Sequence, residues 1–203
     1  CIRDRPEGTL NQFDISLKGS DILINNFEYI SNLLTKINLK GNVRNYDILN
    51  GTFSIQVNSS SSNEIKNIAE FLLSGIAIPD VSFNQFELDA LIENNNFIVN
   101  SLTLKDKETI LETSGSMNLD NSLDRSFNFK LSNFKKLEIL NFYPQLSETI
   151  NLIPGNVINF EGFLAGSDLE ITNFIILKEN QPTLIIAGDI DLQNLNETFL
   201  NVK

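Results

Sequence analysis

One segment occurs three times in this chain. It reads Gly19-Ser-Asp-Ile-Leu-Ile-Asn-Asn-Phe-Glu-Tyr-Ile30, then Asn95-Asn-Phe-Ile-Val-Asn-Ser-Leu-Thr-Leu104, then Gly166-Ser-Asp-Leu-Glu-Ile-Thr-Asn-Phe-Ile-Ile-Leu177. The copies lie about 73–74 residues apart, and a fixed period is the mark of stacked units. Aligned without gaps, Ile24 and Ile98 both fall on Ile171, Leu102 falls on Ile175, and Leu104 falls on Leu177. Gly41, Gly115 and Gly188 fall on one common position. Alternating sequence aligns with itself by chance at apolar positions. It explains matched Gly and Asn at constant offset less easily.

Period-two alternation fills the spaces between these landmarks. Phe13, Ile15 and Leu17 alternate with polar residues, as do Phe53, Ile55 and Val57, Phe86, Leu88 and Ala90, and Phe127, Phe129 and Leu131. Alternation makes one face apolar and the other polar, which predicts a sheet open to water on one side. Two segments break the pattern and predict helices. Residues 63–74 place Ile65, Ile68, Ala69, Leu72 and Leu73 on one stripe, with N-caps available in Ser59–Ser62 and a stop at Gly75. Residues 133–149 form the matching helix, bent or ended at Pro144. Tyr29–Leu34 fits either a helical turn or continued strand. Turns are expected at Asn94–Asn96, Lys105–Lys107 and Lys178–Pro182.

The expected fold is therefore mainly β with a few short α-helices. It is a repetitive, antiparallel, curved sheet forming an open groove, built from strand–helix–strands units with roughly four strands after each helix. The organisation reads as a non-native or disordered stub at 1–9 and one elongated domain at 10–203. Its units are 10–45 (partial), 46–121 and 122–195. Within each unit the strand glycine Gly41, Gly115 or Gly188 marks a bulge, bend or close backbone approach. Both ends look cut. Cys1–Arg5 resembles translated adapter sequence, the other reading being Cys1 as the lipidated first residue of a lipoprotein.

Composition removes several functions. The net charge is −11, with 15 basic residues spread along the chain, so no cluster exists to neutralise nucleic-acid phosphates or anionic headgroups. There is no histidine and only Cys1 among cysteines, so the commonest general base and the commonest metal ligands are missing. No phosphate-binding glycine loop is present. Asp89/Glu93 and Asp189/Asp191 read as solvated polar-face residues rather than a catalytic pair. Asn58-Ser-Ser60 and Asn196-Glu-Thr198 fit the glycosylation pattern, but such matches arise by chance in a chain this rich in Asn and Ser. The reading is non-enzymatic, with no cofactor and no metal.

A longer arrangement carries a resemblance. Phe127-Asn-Phe-Lys-Leu-Ser-Asn-Phe-Lys-Lys-Leu137 is followed by Gly155-Asn-Val-Ile-Asn-Phe-Glu-Gly162, Leu169–Leu177 and Leu184-Ile-Ile-Ala-Gly-Asp-Ile-Asp-Leu192. This order resembles the AsmA/TamB-like proteins of Gram-negative envelopes over nearly all of residues 10–195. The resemblance implies a taco-like β-groove for phospholipid, acting in outer-membrane biogenesis in the periplasm. It also implies a parent protein anchored in the inner membrane. Type II secretion system protein N is similar in its β-rich pattern.

The partner expected first is phospholipid or another acyl-chain lipid. The groove-lining candidates are Ile24, Phe86, Leu88, Ile98, Leu102, Leu104, Ile158, Phe160, Ile171, Ile175 and Leu177. The alternatives are an envelope scaffold or secretion component acting through sheet edges and protein contacts, and an adhesin-like β-solenoid. Alternation does not fix which face lines a groove, because a one-residue slip exchanges the faces.

Overall fold

The computed structural model describes residues 8–45, 47–61, 64, 84–121, 123–138, 151–194 and 198–203. It shows a mainly β protein with one open antiparallel sheet of twelve strands, in the order β1 to β12. The strands are β1 (Gly8–Lys18), β2 (Asp21–Ser31), β3 (Lys36–Arg44) and β4 (Asp47–Ser59). Next come β5 (Gln85–Glu93), β6 (Asn96–Asp106), β7 (Thr109–Asn118) and β8 (Arg125–Lys135). Then follow β9 (Val157–Ala165), β10 (Asp168–Lys178), β11 (Gln181–Asp191) and β12 (Phe199–Val202). Every strand pairs with its neighbours in sequence, so the sheet is a meander and does not close.

Tight turns set the register. The β1–β2 turn has Gly19 at φ 65°, and the β9–β10 turn has Gly166 at φ 58°. The β5–β6 turn has both Asn94 and Asn95 at positive φ, and the β10–β11 turn has Glu179 and Asn180. Two central residues in this region give a turn whose twist matches the strands it joins. The expected turns at Asn94–Asn96, Lys105–Lys107 and Lys178–Pro182 therefore stand where hairpins reverse.

Three expectations change. The chain enters β1 at Gly8, so Gly8 and Thr9 are strand rather than stub. The second helix does not begin at Asn133. β8 runs through Lys135, passing a register shift between Leu131 and Phe134 with Asn133 at φ 56°, and a single 3-10 turn follows at Lys136–Glu138. The bulge absorbs the two polar residues Ser132 and Asn133, so Phe134 stays on the face of Leu131 and the strand continues. Residues 139–149 of that prediction, and nearly all of 63–74, lie outside the described residues. Thirdly, within the bounds 46–121 and 122–195 three strands follow the long connection, β5 to β7 and β9 to β11, where about four were expected. Tyr29–Leu34 resolves as the end of β2 and a turn in which Leu34 has φ 67°.

The exit of β4 is fixed by a small polar knot. Ser31, Thr35 and Ser59 are all buried. The Ser31 hydroxyl donates to the Glu64 carboxylate at 2.7 Å, the Thr35 hydroxyl donates to the same oxygen, and Thr35 and Ser59 share a 2.6 Å hydrogen bond. Ser61 Oγ accepts from the Glu64 amide at 3.4 Å. Buried hydroxyls must be partnered, and one carboxylate satisfies two of them.

The glycines at the common position meet one demand. A Cβ on Gly41 would stand 2.2 Å from Thr52 O, on Gly115 2.1 Å from Ser126 O, and on Gly188 1.9 Å from Phe199 O. In each case the obstruction is backbone of the next strand, which cannot rotate aside. Gly115 also has φ 155°. Gly115→Ala is expected to destabilise by about 2–3 kcal/mol through clash and backbone strain. Gly19→Ala, whose Cβ meets nothing within 4 Å, is expected to cost roughly 1 kcal/mol from its left-handed φ alone. Urea midpoints of the two variants check the ranking.

Candidate functional site

Directly opposed residues in an antiparallel ladder project to the same face, so the register assigns every side chain to a side. One row runs Phe13–Phe27–Leu39–Ile55–Ala90–Val99–Gly115–Phe127–Leu164–Leu169–Ile190, crossing β1 to β11. A second runs Phe86–Leu104–Leu111–Leu131–Phe160–Phe174–Ile186–Val202, crossing β5 to β12. Apart from Gly115, every member of both rows is apolar. The sheet therefore carries one continuous apolar face, and this face is the candidate site.

The opposite face is polar over much of its area, with apolar pairs such as Leu91–Ile98 and Ile175–Ile185 among its rows. A typical row is Glu28–Asn38–Gln56–Asp89–Ser101. Lys130 and Glu161 face each other there with a 3.1 Å ion pair. An open hollow of about 430 Å³ lies on this side across β6 to β10, lined by Glu112, Asn128, Lys130 and Glu161 together with Leu102, Phe129 and Phe163. Asp89 accepts a hydrogen bond from Asn100, and Asp191 caps the turn amides of Gln193 and Asn194. The Asp89/Glu93 and Asp189/Asp191 pairs thus sit in surface and turn settings.

Eight of the eleven candidate lining residues lie on the apolar face: Ile24, Phe86, Leu88, Leu102, Leu104, Ile158, Phe160 and Ile171. Ile98, Ile175 and Leu177 lie on the other. Ile98 opposes Leu91 and Ser116, Ile175 opposes Asn159 and Ile185, and Leu177 opposes Val157. The cause is a β-bulge. Register shifts occur after Ile24 in β2, after Val99 in β6 and after Ile171 in β10. These three residues stand opposite Gly41, Gly115 and Gly188 in turn. Val99, not Ile98, is thus the counterpart of Ile24 and Ile171. Beyond the bulge Phe174 and Ile176, not Ile175 and Leu177, share the face of Leu102 and Leu104. The signal was present in Ile24-Asn-Asn-Phe27, Val99-Asn-Ser-Leu102 and Ile171-Thr-Asn-Phe174, where two polar residues interrupt strict alternation.

An acid on the preceding strand contacts two of the bulges from the polar side. Asn25 donates to Asp14 at 3.1 Å and Asn100 donates to Asp89 at 3.2 Å. Asn173 stands opposite Glu161 in the third. This accounts for part of the chain's high asparagine content.

Exposure along the apolar face is graded. Phe53 is 2 % exposed and Ala90 0 %, while Phe13 is 61 % and Leu17 70 % exposed. The packed centre joins Val57, Phe86, Leu88, Ala90 and Val99, with Ile37, Ile55, Phe97, Leu102, Leu104 and Phe127 against it. At β12, Leu200 and Val202 are again exposed.

Titration adds a local device on β2. Lys36 lies 2.8 Å from Glu28, and its hydrogen bond, with a second from Asn11, holds the Glu28 carboxyl below its ordinary value of 4.5. Tyr29 is pushed up, by burial first and by the Glu64 charge second. Among the described residues no cluster of three metal-ligating side chains exists, and no helix is long and apolar enough to cross a membrane. Comparison with protein-family models, with curated proteins and with solved structures returns no match.

Two outcomes are expected. Phe53→Ala costs roughly 3–5 kcal/mol in denaturant unfolding, whereas Phe13→Ala on the same face costs under about 1 kcal/mol because Phe13 already faces water. For Glu28, the depressed folded pKa means its contribution is complete above the unfolded value and is lost as pH falls through the folded one. Lys36→Met raises the Glu28 midpoint towards the ordinary carboxylate range, as read from its side-chain carbon resonance.

Proposed function

We propose that the chain is a non-enzymatic lipid-binding segment, in which the apolar face of the open sheet solvates acyl chains. One observation carries this reading. Twelve strands present an uninterrupted apolar face in a sheet that does not close, and that face is uncovered at β1 and β12. Water-exposed apolar area beyond a few hundred Å² is unusual without a partner. Acyl chains match such a face, at about 0.8 kcal/mol for each CH₂ buried.

In this reading the strands form units that repeat. Ile24/Gly41, Val99/Gly115 and Ile171/Gly188 are the corresponding cross-strand pairs, each beside a bulge. Bulges and glycines re-aim strands, and bending at regular intervals curves a sheet into a groove. The lining residues are then Ile24, Val99 and Ile171, with Leu102, Leu104, Phe160, Phe174 and Ile176 beyond the bulges. The hollow on the polar face takes no part. The resemblance to AsmA/TamB-like proteins supports the same function. With it come placement in the periplasm, a role in outer-membrane biogenesis and an inner-membrane-anchored parent protein.

The test is lipid co-purification. Protein purified from cells without detergent is expected to carry phospholipid by native mass spectrometry. Val99→Asp and Phe174→Asp are expected to lose it, while Ile98→Asp and Ile175→Asp keep it, with folding verified by circular dichroism. Lipid-free wild-type protein that also fails to take up a fluorescent phospholipid from vesicles overturns the proposal.

A further inference from the structure

We infer that the polar face carries a binding site for an uncharged oligosaccharide, centred on the hollow across β6 to β10, with a smaller subsite four strands away. The larger hollow measures about 430 Å³, within the range of about 300–1,000 Å³ that ligand sites occupy. Its walls include Glu112 and Ser114 on β7, Asn128 and Lys130 on β8, and Glu161 and Phe163 on β9. Each pair is two residues apart, so all six side chains rise from one face.

A second hollow of about 200 Å³ is lined by Asn38, Lys40, Ser54 and Gln56. It occupies the same place relative to the common glycine. Asn38 opposes Gln56 and Lys40 opposes Ser54, next to the Gly41–Phe53 pair. Glu112 opposes Lys130 and Ser114 opposes Asn128, next to the Gly115–Phe127 pair. Each hollow thus lies behind a glycine and the bulge across from it. Ile185 and Ala187 hold the corresponding positions before Gly188, and their side chains offer no polar group.

The chemistry suits a neutral ligand with many hydroxyls. Glu112, Lys130 and Glu161 form a cross-strand row of negative, positive and negative charge. A charged ligand meets a like charge beside its partner, and an anion also meets the chain's net charge of −11. A hydroxyl both donates and accepts, so it matches acceptors and a donor in alternation. Elsewhere on this face polar side chains bond one another, as Asn11 does with Glu28, Asn25 with Asp14 and Asn100 with Asp89. Among the described residues, the side chains of Glu112, Ser114 and Asn128, and of the four at the smaller hollow, have no such partner. They keep their donors and acceptors for a ligand. Phe163 stands between Asn128 and Glu170 and adds an aromatic ring, whose negative face attracts the C–H groups of a sugar.

The row Gln56–Asp89–Ser101 leads from one hollow to the other. Four strands at about 4.8 Å each set the hollows roughly 19 Å apart along the sheet. A chain of several sugars spans that distance. The site uses the face opposite the apolar one, so protein stripped of lipid must still bind, and failure here leaves the lipid reading intact.

Titration of the 203-residue chain with cellohexaose, maltohexaose, chitohexaose and mannohexaose, and with their disaccharides, tests this. The readout is the side-chain amide resonances of Asn128 and Gln56. At least one hexasaccharide is expected to shift both at millimolar concentration, and to bind about ten-fold more tightly than its disaccharide. Affinity should be the same at about 0.02 M and 0.5 M salt, because the ligand carries no charge. Phe163→Ala and Glu112→Ala should each weaken binding about ten-fold. Asn38→Ala combined with Gln56→Ala should abolish the advantage of the longer sugar and leave disaccharide binding at Asn128 unchanged. Phe163→Leu replaces Phe163→Ala if the latter loses its strand signal in circular dichroism. Resonances unmoved by every sugar overturn the inference. So does binding that the Phe163 and Glu112 variants both leave intact, and so does tighter binding of a neutral extended peptide than of any sugar.

Discussion

The structure depends on keeping opposed residues chemically alike at eleven successive strand junctions. A meander has no second layer of strands to hide an error, since each strand hydrogen-bonds only to its sequence neighbours. One slipped junction would turn a whole strand's apolar set to water and expose polar groups on the apolar face. Tight turns with fixed backbone signs hold most junctions. Where the sequence inserts an extra polar residue, a bulge restores the phase. The bulges in β2, β6 and β10 are therefore the condition for one face to remain apolar across the sheet.

Much of this was legible in the residues. Alternation gave the strands, Asn-rich and Gly-Ser turns gave the hairpins, and the isolated glycines marked close backbone approach. Phe86, Leu88, Leu102 and Leu104 were placed on the apolar face because no irregularity separates them from their alternating run. Ile98, Ile175 and Leu177 fall on the other face from the remaining candidates because gapless alignment reads through a bulge. Alignment matches residue types along a chain, whereas a bulge is a property of two strands, visible only when the partner's count is known. The β8 extension past Asn133 was missed for the same reason. Two polar residues looked like the end of alternation, when they were its correction.

The three glycines show how backbone and side-chain demands meet. Each faces the residue before a bulge on one side and an apolar residue of the next strand on the other. The neighbouring carbonyl approaches so closely that any Cβ would overlap it. A bulge sharpens local twist, and twist brings the next strand's backbone inward at that level. Glycine is the side chain that leaves room. The contacts of Asn25 with Asp14 and of Asn100 with Asp89 lie on the other side of the first two bulges.

The purely sequential order of the strands also governs how the molecule would respond to tension. Pulling on its two ends loads the hydrogen bonds of each hairpin one after another, as in a zipper, rather than many in parallel. Such a sheet yields at low force, one strand at a time. Each strand released adds about 3.4 Å of contour per residue. An element of this kind stretches by paying out strands from its edges while the packed centre around Val57, Leu88 and Val99 stays folded, which makes it extensible without being fragile.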